Sequence, residues 1–202
     1  MKIIIVGGHG SIGRRVVDVL AKKHDIITAS RSKGNVNVDL VDIESIRELY
    51  ETVGDFDAVI SIAGEAKWAP MKEMKEGDYY VGIRSKLMGQ VNLVRVGMEY
   101  IKPNGSFTLT TGILADHPVD LTTSAAMVNG GIHSFVRAAA LEMEKGIRIN
   151  AVSSGLVEDA IDKYQDHFPG HNAIPMRKVV NGYIKSLEGK NNGEIIRIYD
   201  NC

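Results

Sequence analysis

The first thirteen residues constrain the fold most, because a short apolar run leads directly into a cluster of glycines. Residues 2–6 are almost entirely β-branched and show no polar alternation. This pattern predicts a strand buried on both faces of a parallel sheet. Apolar residues then recur at helical spacing over residues 12–20, and Ser11 is placed to cap that predicted helix. A strand, a glycine turn and a helix together form the local structure that can bind a pyrophosphate.

The glycines have the spacing Gly8-x-Gly10-x-x-Gly13, which is typical of dinucleotide-binding turns. Glycine lets the backbone approach a phosphate closely, while the free N–H groups of the helix N-terminus attract its charge. A purely structural turn is the alternative, since glycine-rich turns also close ordinary strand-to-helix connections. We predict that the following residues contact a dinucleotide: Gly7, Gly8, His9, Gly10, Ser11, Ile12 and Gly13.

Composition favours one globular domain over residues 1–202, with 44% hydrophobic and 24% charged residues. The formal net charge is −1 and no long run of one sign occurs, so neither nucleic acid nor a membrane surface is an expected partner. The only cysteine is Cys202, which fits a reducing compartment. We therefore expect a cytoplasmic protein.

Apolar runs with strand and helix patterns alternate along the rest of the chain. This alternation predicts a single Rossmann-type α/β fold, a doubly wound parallel sheet of about seven strands with helices on both faces. Further strands are predicted near residues 26–30, 56–62, 106–110, 147–152 and 194–199. Further helices are predicted near residues 42–52, 78–101, 122–144 and 175–187.

Several segments together resemble the short-chain dehydrogenase/reductase family. Besides the glycine turn, these are Asp39-Leu40, Ser61-Ile62-Ala63-Gly64, residues 137–142 and residues 146–155. The resemblance implies NAD(P) binding. It places Asp39, Leu40, Ala63 and Gly64 beside the adenosine half of the cofactor and Gly155 beside the nicotinamide. It also implies a homodimer or homotetramer.

The same resemblance shows where the catalytic pattern is broken. The family's Tyr and Lys positions fall on Ala125 and Asn129, and its Ser position falls near Thr111. Conversely, Lys86 stands where the family has Asn. We hypothesise that Lys86 and Asn129 form a swapped, hydrogen-bonded pair beside the cofactor; an unrelated surface lysine and a helix asparagine are the alternative. Tyr164 and His117 lie in loops that could supply a proton donor.

The predicted second strand ends in Ser30 and Arg31 rather than in a carboxylate. A carboxylate would bind the ribose 2′-hydroxyl of NAD, whereas a guanidinium can pair with a 2′-phosphate. We predict NADP(H) in preference to NAD(H), with Arg14 or Arg15 as a possible second cation. A solvated Arg31 without this role is the alternative.

Two functions follow from these expectations. The first is an NADP(H)-dependent oxidoreductase with a rearranged site for a small carbonyl or alcohol, in which Thr111 orients the substrate oxygen, Lys86 supplies positive charge and Asn129 completes the site. The second is a catalytically inactive NADP(H)-binding sensor or partner-binding protein. No metal is expected, because Pro169-Gly170 separates His167 from His171 and no third ligand is evident.

Overall fold

A computed structural model describes residues 1–199 and contains a sheet of seven parallel strands in the order β3-β2-β1-β4-β5-β6-β7. Strand order reverses beside β1, where the chain crosses from one half of the sheet to the other. The predicted doubly wound sheet is thereby confirmed. The strands are β1 (Lys2–Val6), β2 (Asp25–Ser30), β3 (Val36–Asn37), β4 (Phe56–Ser61), β5 (Ile101–Gly112), β6 (Arg148–Ser154) and β7 (Ile195–Ile198).

Helices cover both faces of this sheet. They are α1 (Ser11–Leu20), α2 (Ile43–Val53), α3 (Glu76–Gly82), α4 (Gly89–Gly97), α5 (Thr123–Ala139), α6 (Ile161–Tyr164) and α7 (Met176–Glu188). Short 3₁₀ turns lie at Met71–Glu73, Ile113–Ala115, Glu158–Ala160 and Gln165–His167.

Strand β1 shows how the two layers of the core arise. Ile3 and Ile5 pack into the cluster with the apolar faces of α1 and α7, whereas Ile4 and Val6 pack into the cluster with α2, α4 and α5. All four side chains are buried because successive residues of a strand point to opposite faces. The unbroken apolar run of residues 3–6 is therefore a consequence of helices on both sides.

The predicted helix over residues 78–101 is wrong as one element. Between α3 and α4 the backbone forms a π-helical segment, Ile83–Met88, and residue 101 already belongs to β5. The apolar pattern runs on through the π-helical segment, so sequence periodicity does not reveal it. Such π-helical insertions occur frequently at functional sites, and this one carries Lys86.

Other boundaries also differ from the sequence-based expectations. Helix α5 ends at Ala139 rather than near residue 144, and the chain then turns through Lys145 and Gly146, both with positive φ. The short strand β3 was not predicted. Ser11 is not the cap of α1 but its first residue. The cap position is held by Gly10, which has no side chain that could accept a hydrogen bond from the helix N-terminus. By contrast, the helix predicted near residues 42–52 is present as α2, and Asp42 caps it: its Oδ1 accepts a hydrogen bond from the Glu44 N–H at 3.0 Å.

Within residues 1–199, no helix has both the length and the apolar character needed to cross a membrane. Cys202, which entered the prediction of a reducing compartment, lies outside the described residues.

Candidate cofactor and substrate site

The carboxyl ends of the central strands form one edge of the sheet, and the glycine turn lies there between β1 and α1. Gly7 has a φ of 84°, and a Cβ at this position would lie 2.6 Å from the Ile62 carbonyl oxygen. A Cβ on Gly13 would lie 2.1 Å from the Gly7 carbonyl oxygen. The fold itself therefore requires glycine at positions 7 and 13, with or without a ligand.

Gly10 is different, because nothing in residues 1–199 requires glycine at that position. Its φ of −72° suits any residue, and a Cβ there would meet only the Gly7 oxygen, at 3.5 Å. The next three N–H groups, of Ser11, Ile12 and Gly13, belong to the first turn of α1 and have no intrahelical acceptor. Open space beside unpaired N–H groups fits a pyrophosphate group.

A pocket of about 260 Å³ adjoins the turn. It brings together the residues predicted to surround the adenosine half of the cofactor, although they come from four separate chain segments. Its lining includes Gly7, Ser30, Arg31, Asp39, Leu40, Ala63 and Gly64.

Charged side chains at this pocket are mostly exposed. Arg31 Nη1 lies 3.7 Å from Glu65 Oε1, and both side chains are more than half exposed. The Ser30 hydroxyl donates to the Lys33 carbonyl oxygen, so it is engaged within its own turn. Arg14 pairs with Asp159 at 3.3 Å. Arg31 is thus the cation of this group that lines the pocket beside the glycine turn.

Arg15, the other proposed second cation, lies elsewhere. It lines a groove between α1 and α7, together with Asp18 and Arg177. The suggestion that Arg15 reaches the cofactor pocket is therefore not supported by its position.

A second cavity, of about 450 Å³, begins beside Ile12, just after the glycine turn, and lies over the carboxyl ends of β5 and β6. Four residues that sequence analysis linked to the nicotinamide or to catalysis line it: Lys86, Ala125, Asn129 and Gly155. Gly112 lines it as well, and a Cβ on Gly112 would lie 3.6 Å from Asn129 Nδ2.

Thr111 does not line this cavity. Its side chain is buried on the α5 side of the sheet, where Oγ1 lies 2.9 Å from His133 Nε2. The residue of β5 that lines the cavity is the next one, Gly112, which has no hydroxyl. The structure thus separates Thr111 from the residues with which it was grouped.

Lys86 enters the cavity from the π-helical segment. Gly64, with a φ of 115°, packs directly on that segment, and a Cβ there would lie 2.8 Å from Lys86 Cα. This close approach fixes the start of the lysine side chain. Desolvation by burial lowers the pKa of Lys86 from its ordinary value of 10.5 to about 8. A lysine with this pKa can exchange a proton near neutral pH.

The predicted hydrogen bond between Lys86 and Asn129 is absent. Asn129 is 2% exposed, and its Oδ1 has no hydrogen-bond partner. The side-chain amide nitrogen of Asn129 and the ammonium of Lys86 are both donors, so no other pairing between them is available. The structure therefore has no hydrogen bond between the two members of the hypothesised swapped pair, yet both groups line the same cavity. Asn129 Oδ1 is therefore a buried acceptor without a partner, and the Lys86 ammonium is a desolvated donor, so both groups can hydrogen-bond to a ligand in this cavity.

Trp68 and Phe168 also line the cavity, and sequence analysis assigned neither a role. Tyr164 lines it too, with its ring centroid 5.2 Å from that of Trp68. His117 instead packs edge-on against Tyr199, with 6.0 Å between the ring centroids. These contacts join residues that are distant in sequence, so local patterns could not reveal them.

The comparisons with known proteins agree with this architecture. A family model described as enoyl-(acyl carrier protein) reductase matches residues 11–182. Together with a seven-stranded parallel sheet and a glycine turn at its switch point, this match shows that the chain belongs to the short-chain dehydrogenase/reductase family.

Among solved structures, the protein lin1944 from Listeria innocua is 43% identical, with a TM-score of 0.97 over 98% of this chain and 100% of its own. A small-chain dehydrogenase in complex with NADPH is 26% identical, with a TM-score of 0.87 over 98% and 96% of the two chains. Hydroxynaphthalene reductase arp2 of Aspergillus fumigatus is 23% identical over 174 residues, or 74% of this chain. The chain spans only 64% of the length of that curated relative.

Proposed function

We propose that this protein is an NADP(H)-dependent oxidoreductase that reduces small carbonyl compounds to alcohols, with Lys86 as the proton donor. The observation that carries the proposal is the desolvated Lys86 side chain in the cavity that adjoins the glycine turn. The NADPH complex of a 26% identical dehydrogenase supports the choice of cofactor. The names of the matched family model and of the Aspergillus relative, both reductases, support the direction of the reaction.

In this proposal the glycine turn and the first N–H groups of α1 hold the pyrophosphate, and Arg31 faces the 2′-phosphate. Bound NADPH supplies the hydride that is transferred to the carbonyl carbon. The Lys86 ammonium donates a hydrogen bond to the carbonyl oxygen, stabilises the negative charge that develops there and transfers its proton to that oxygen. Neutral Lys86 then regains a proton from solvent. Asn129 Oδ1 accepts a hydrogen bond from the alcohol hydroxyl of the product.

The decisive experiment measures NADPH binding by the purified protein and then NADPH consumption with a panel of small ketones and aldehydes. We expect saturable binding and ketone-dependent consumption of NADPH, with one alcohol formed per NADPH oxidised. A protein that binds NADPH but turns over none of the panel would contradict the reductase proposal. That outcome would favour the second candidate, an NADP(H)-binding sensor. One observation favours the sensor: Gly112 and Ala125 line the cavity, and neither residue has a hydroxyl group.

Cofactor preference gives a separate prediction. Replacing Arg31 by alanine removes the cation that lines the adenosine pocket, so we expect NADPH affinity to fall about 10- to 30-fold while NADH affinity changes less than about twofold. Arg15→Ala is the matched control, since it removes a guanidinium that lies outside the pocket. Calorimetric titration of both cofactors against the three proteins measures these effects. Equal losses for NADPH and NADH in Arg31→Ala would argue against a role in phosphate recognition.

The oligomeric state stays a prediction from the family resemblance. Val81, Met88 and Met127 are each at least 40% exposed on α3, the π-helical segment and α5. Apolar side chains on these helices are compatible with contact between two copies of the chain.

A further inference from the structure

The cavity that Lys86 lines also has an aromatic wall, formed by Trp68, Tyr164 and Phe168. Trp68 comes from the loop after β4, whereas Tyr164 and Phe168 come from the segment between β6 and α7. The Trp68 and Tyr164 rings lie 5.2 Å apart with 42° between their planes, and His167 meets the Trp68 ring edge-on at 6.0 Å. Two distant segments therefore converge to present ring surfaces to one space.

These rings belong to a small apolar cluster of their own. The cluster includes Ile113, Leu114 and Leu156 and lies at the carboxyl edge of the sheet, apart from the two clusters that pack the helices onto its faces. Phe168 is buried in it, whereas Trp68 and Tyr164 are only partly buried. Partly exposed ring faces inside a cavity are surface that a ligand can cover.

The same cavity also has polar lining groups. Lys86 and Glu65 are the charged side chains that line it, and Glu65 already pairs with Arg31. Asn129 adds a buried Oδ1 without a partner. A matching ligand therefore has one oxygen atom that accepts a hydrogen bond from the Lys86 ammonium. If that oxygen is a hydroxyl, it can also donate a hydrogen bond to Asn129 Oδ1. The rest of the ligand is an uncharged, flat ring system that faces the aromatic side chains.

We propose that this cavity selects bicyclic ligands that carry a flat aromatic ring and a single ketone or hydroxyl oxygen, with the ring against Trp68 and Tyr164 and the oxygen at Lys86 and Asn129. The proposal rests on the proposed function for the ketone-to-alcohol step, but the ring recognition does not depend on turnover. Ring contacts favour a flat π-system over a saturated body of the same size, because only the former offers a face with a matching quadrupole.

Two bicyclic alcohols with the same carbon skeleton provide the test. The full-length protein is titrated by calorimetry with 2-naphthol and with trans-2-decalol, first alone and then with saturating NADP⁺. We expect 2-naphthol to bind at least about tenfold more tightly than trans-2-decalol. Equal or tighter binding of the saturated alcohol under both conditions would overturn the proposal.

Variants at position 68 localise the effect. Trp68→Leu should weaken 2-naphthol binding about tenfold and leave trans-2-decalol within about twofold, whereas Trp68→Phe should keep most of the preference for 2-naphthol. Tyr80→Leu is the control, since it removes a ring that is partly exposed on α3 and does not line the cavity. An unchanged preference for 2-naphthol in Trp68→Leu would also overturn the proposal.

Turnover separates this inference from the reductase proposal. If 2-naphthol binds with the expected preference but NADPH is not consumed with 2-tetralone, ring recognition stands and reduction fails. If NADPH is consumed with 2-decalone as fast as with 2-tetralone and 2-naphthol shows no preference, reduction stands and ring recognition fails.

Discussion

Replacing Lys86 by methionine should lower kcat/KM for carbonyl reduction by about 100-fold or more, since positioned general acids contribute about 10²–10⁴-fold to rates. Methionine keeps the unbranched shape of the side chain but removes the ammonium, so packing against Gly64 is preserved. NADPH affinity should change much less, because the pyrophosphate contacts lie at the glycine turn. Steady-state kinetics and cofactor titration on the same preparations measure both quantities.

Lys86→Arg separates proton donation from simple positive charge. An arginine keeps the charge, but its pKa is above 12 and it does not release a proton near neutral pH. If Lys86 donates the proton, Lys86→Arg should lose nearly as much activity as Lys86→Met. If Lys86→Arg kept more than about a tenth of the wild-type rate, electrostatic stabilisation alone would account for the role of Lys86.

The pH dependence of the wild-type enzyme follows from the same residue. Burial lowers the pKa of Lys86 to about 8. Reduction needs the protonated form, so its rate should be level below this pKa and fall as the pH rises through it. Alcohol oxidation needs the neutral form and should rise over the same range. Neither limb should survive in Lys86→Met.

Sequence patterns predicted the sheet, and they predicted residues that the structure brings together in one pocket beside the glycine turn, because both depend on local signals. The β-branched run of β1 and the glycine spacing are contiguous, and the other predicted residues of that pocket lie at or shortly after strand ends. The catalytic half depends on tertiary contacts instead. Thr111 is an example: its hydroxyl contacts His133, whereas the residue of β5 that lines the cavity is Gly112. The sequence does not show which of two adjacent strand residues meets a cavity.

Lys86 shows a second limit of pattern reading. Its position in the family pattern drew attention to it, but its lowered pKa arises from desolvation in a cavity that several distant segments enclose. The π-helical segment that carries it has the same apolar spacing as the helices on either side. Trp68 gave no local signal at all, because its role depends on Tyr164 and Phe168, about a hundred residues further along the chain.

The other prediction with a large expected effect concerns the glycine turn. One substitution there should weaken NADPH binding without destabilising the fold, and another should destabilise the fold itself. Gly10→Asp should leave the protein folded, because the Cβ meets open space and aspartate is a favoured helix cap. Its carboxylate would, however, stand where the pyrophosphate binds, so NADPH affinity should fall more than about 100-fold through like-charge repulsion. Gly13→Ala would instead bring a Cβ to 2.1 Å from the Gly7 oxygen. We expect this substitution to lower the free energy of unfolding by roughly 1–3 kcal/mol.

Denaturant unfolding and NADPH titration of both variants distinguish the two mechanisms. Gly10→Ser serves as the control, since it offers a cap without charge and should lose less affinity than Gly10→Asp. If Gly10→Asp bound NADPH as tightly as the wild type, the N-terminus of α1 would not be the phosphate site. If instead Gly10→Asp were destabilised as strongly as Gly13→Ala, the fold itself would require glycine at position 10. The expected separation between the two variants would show that a ligand, and not chain packing, accounts for Gly10.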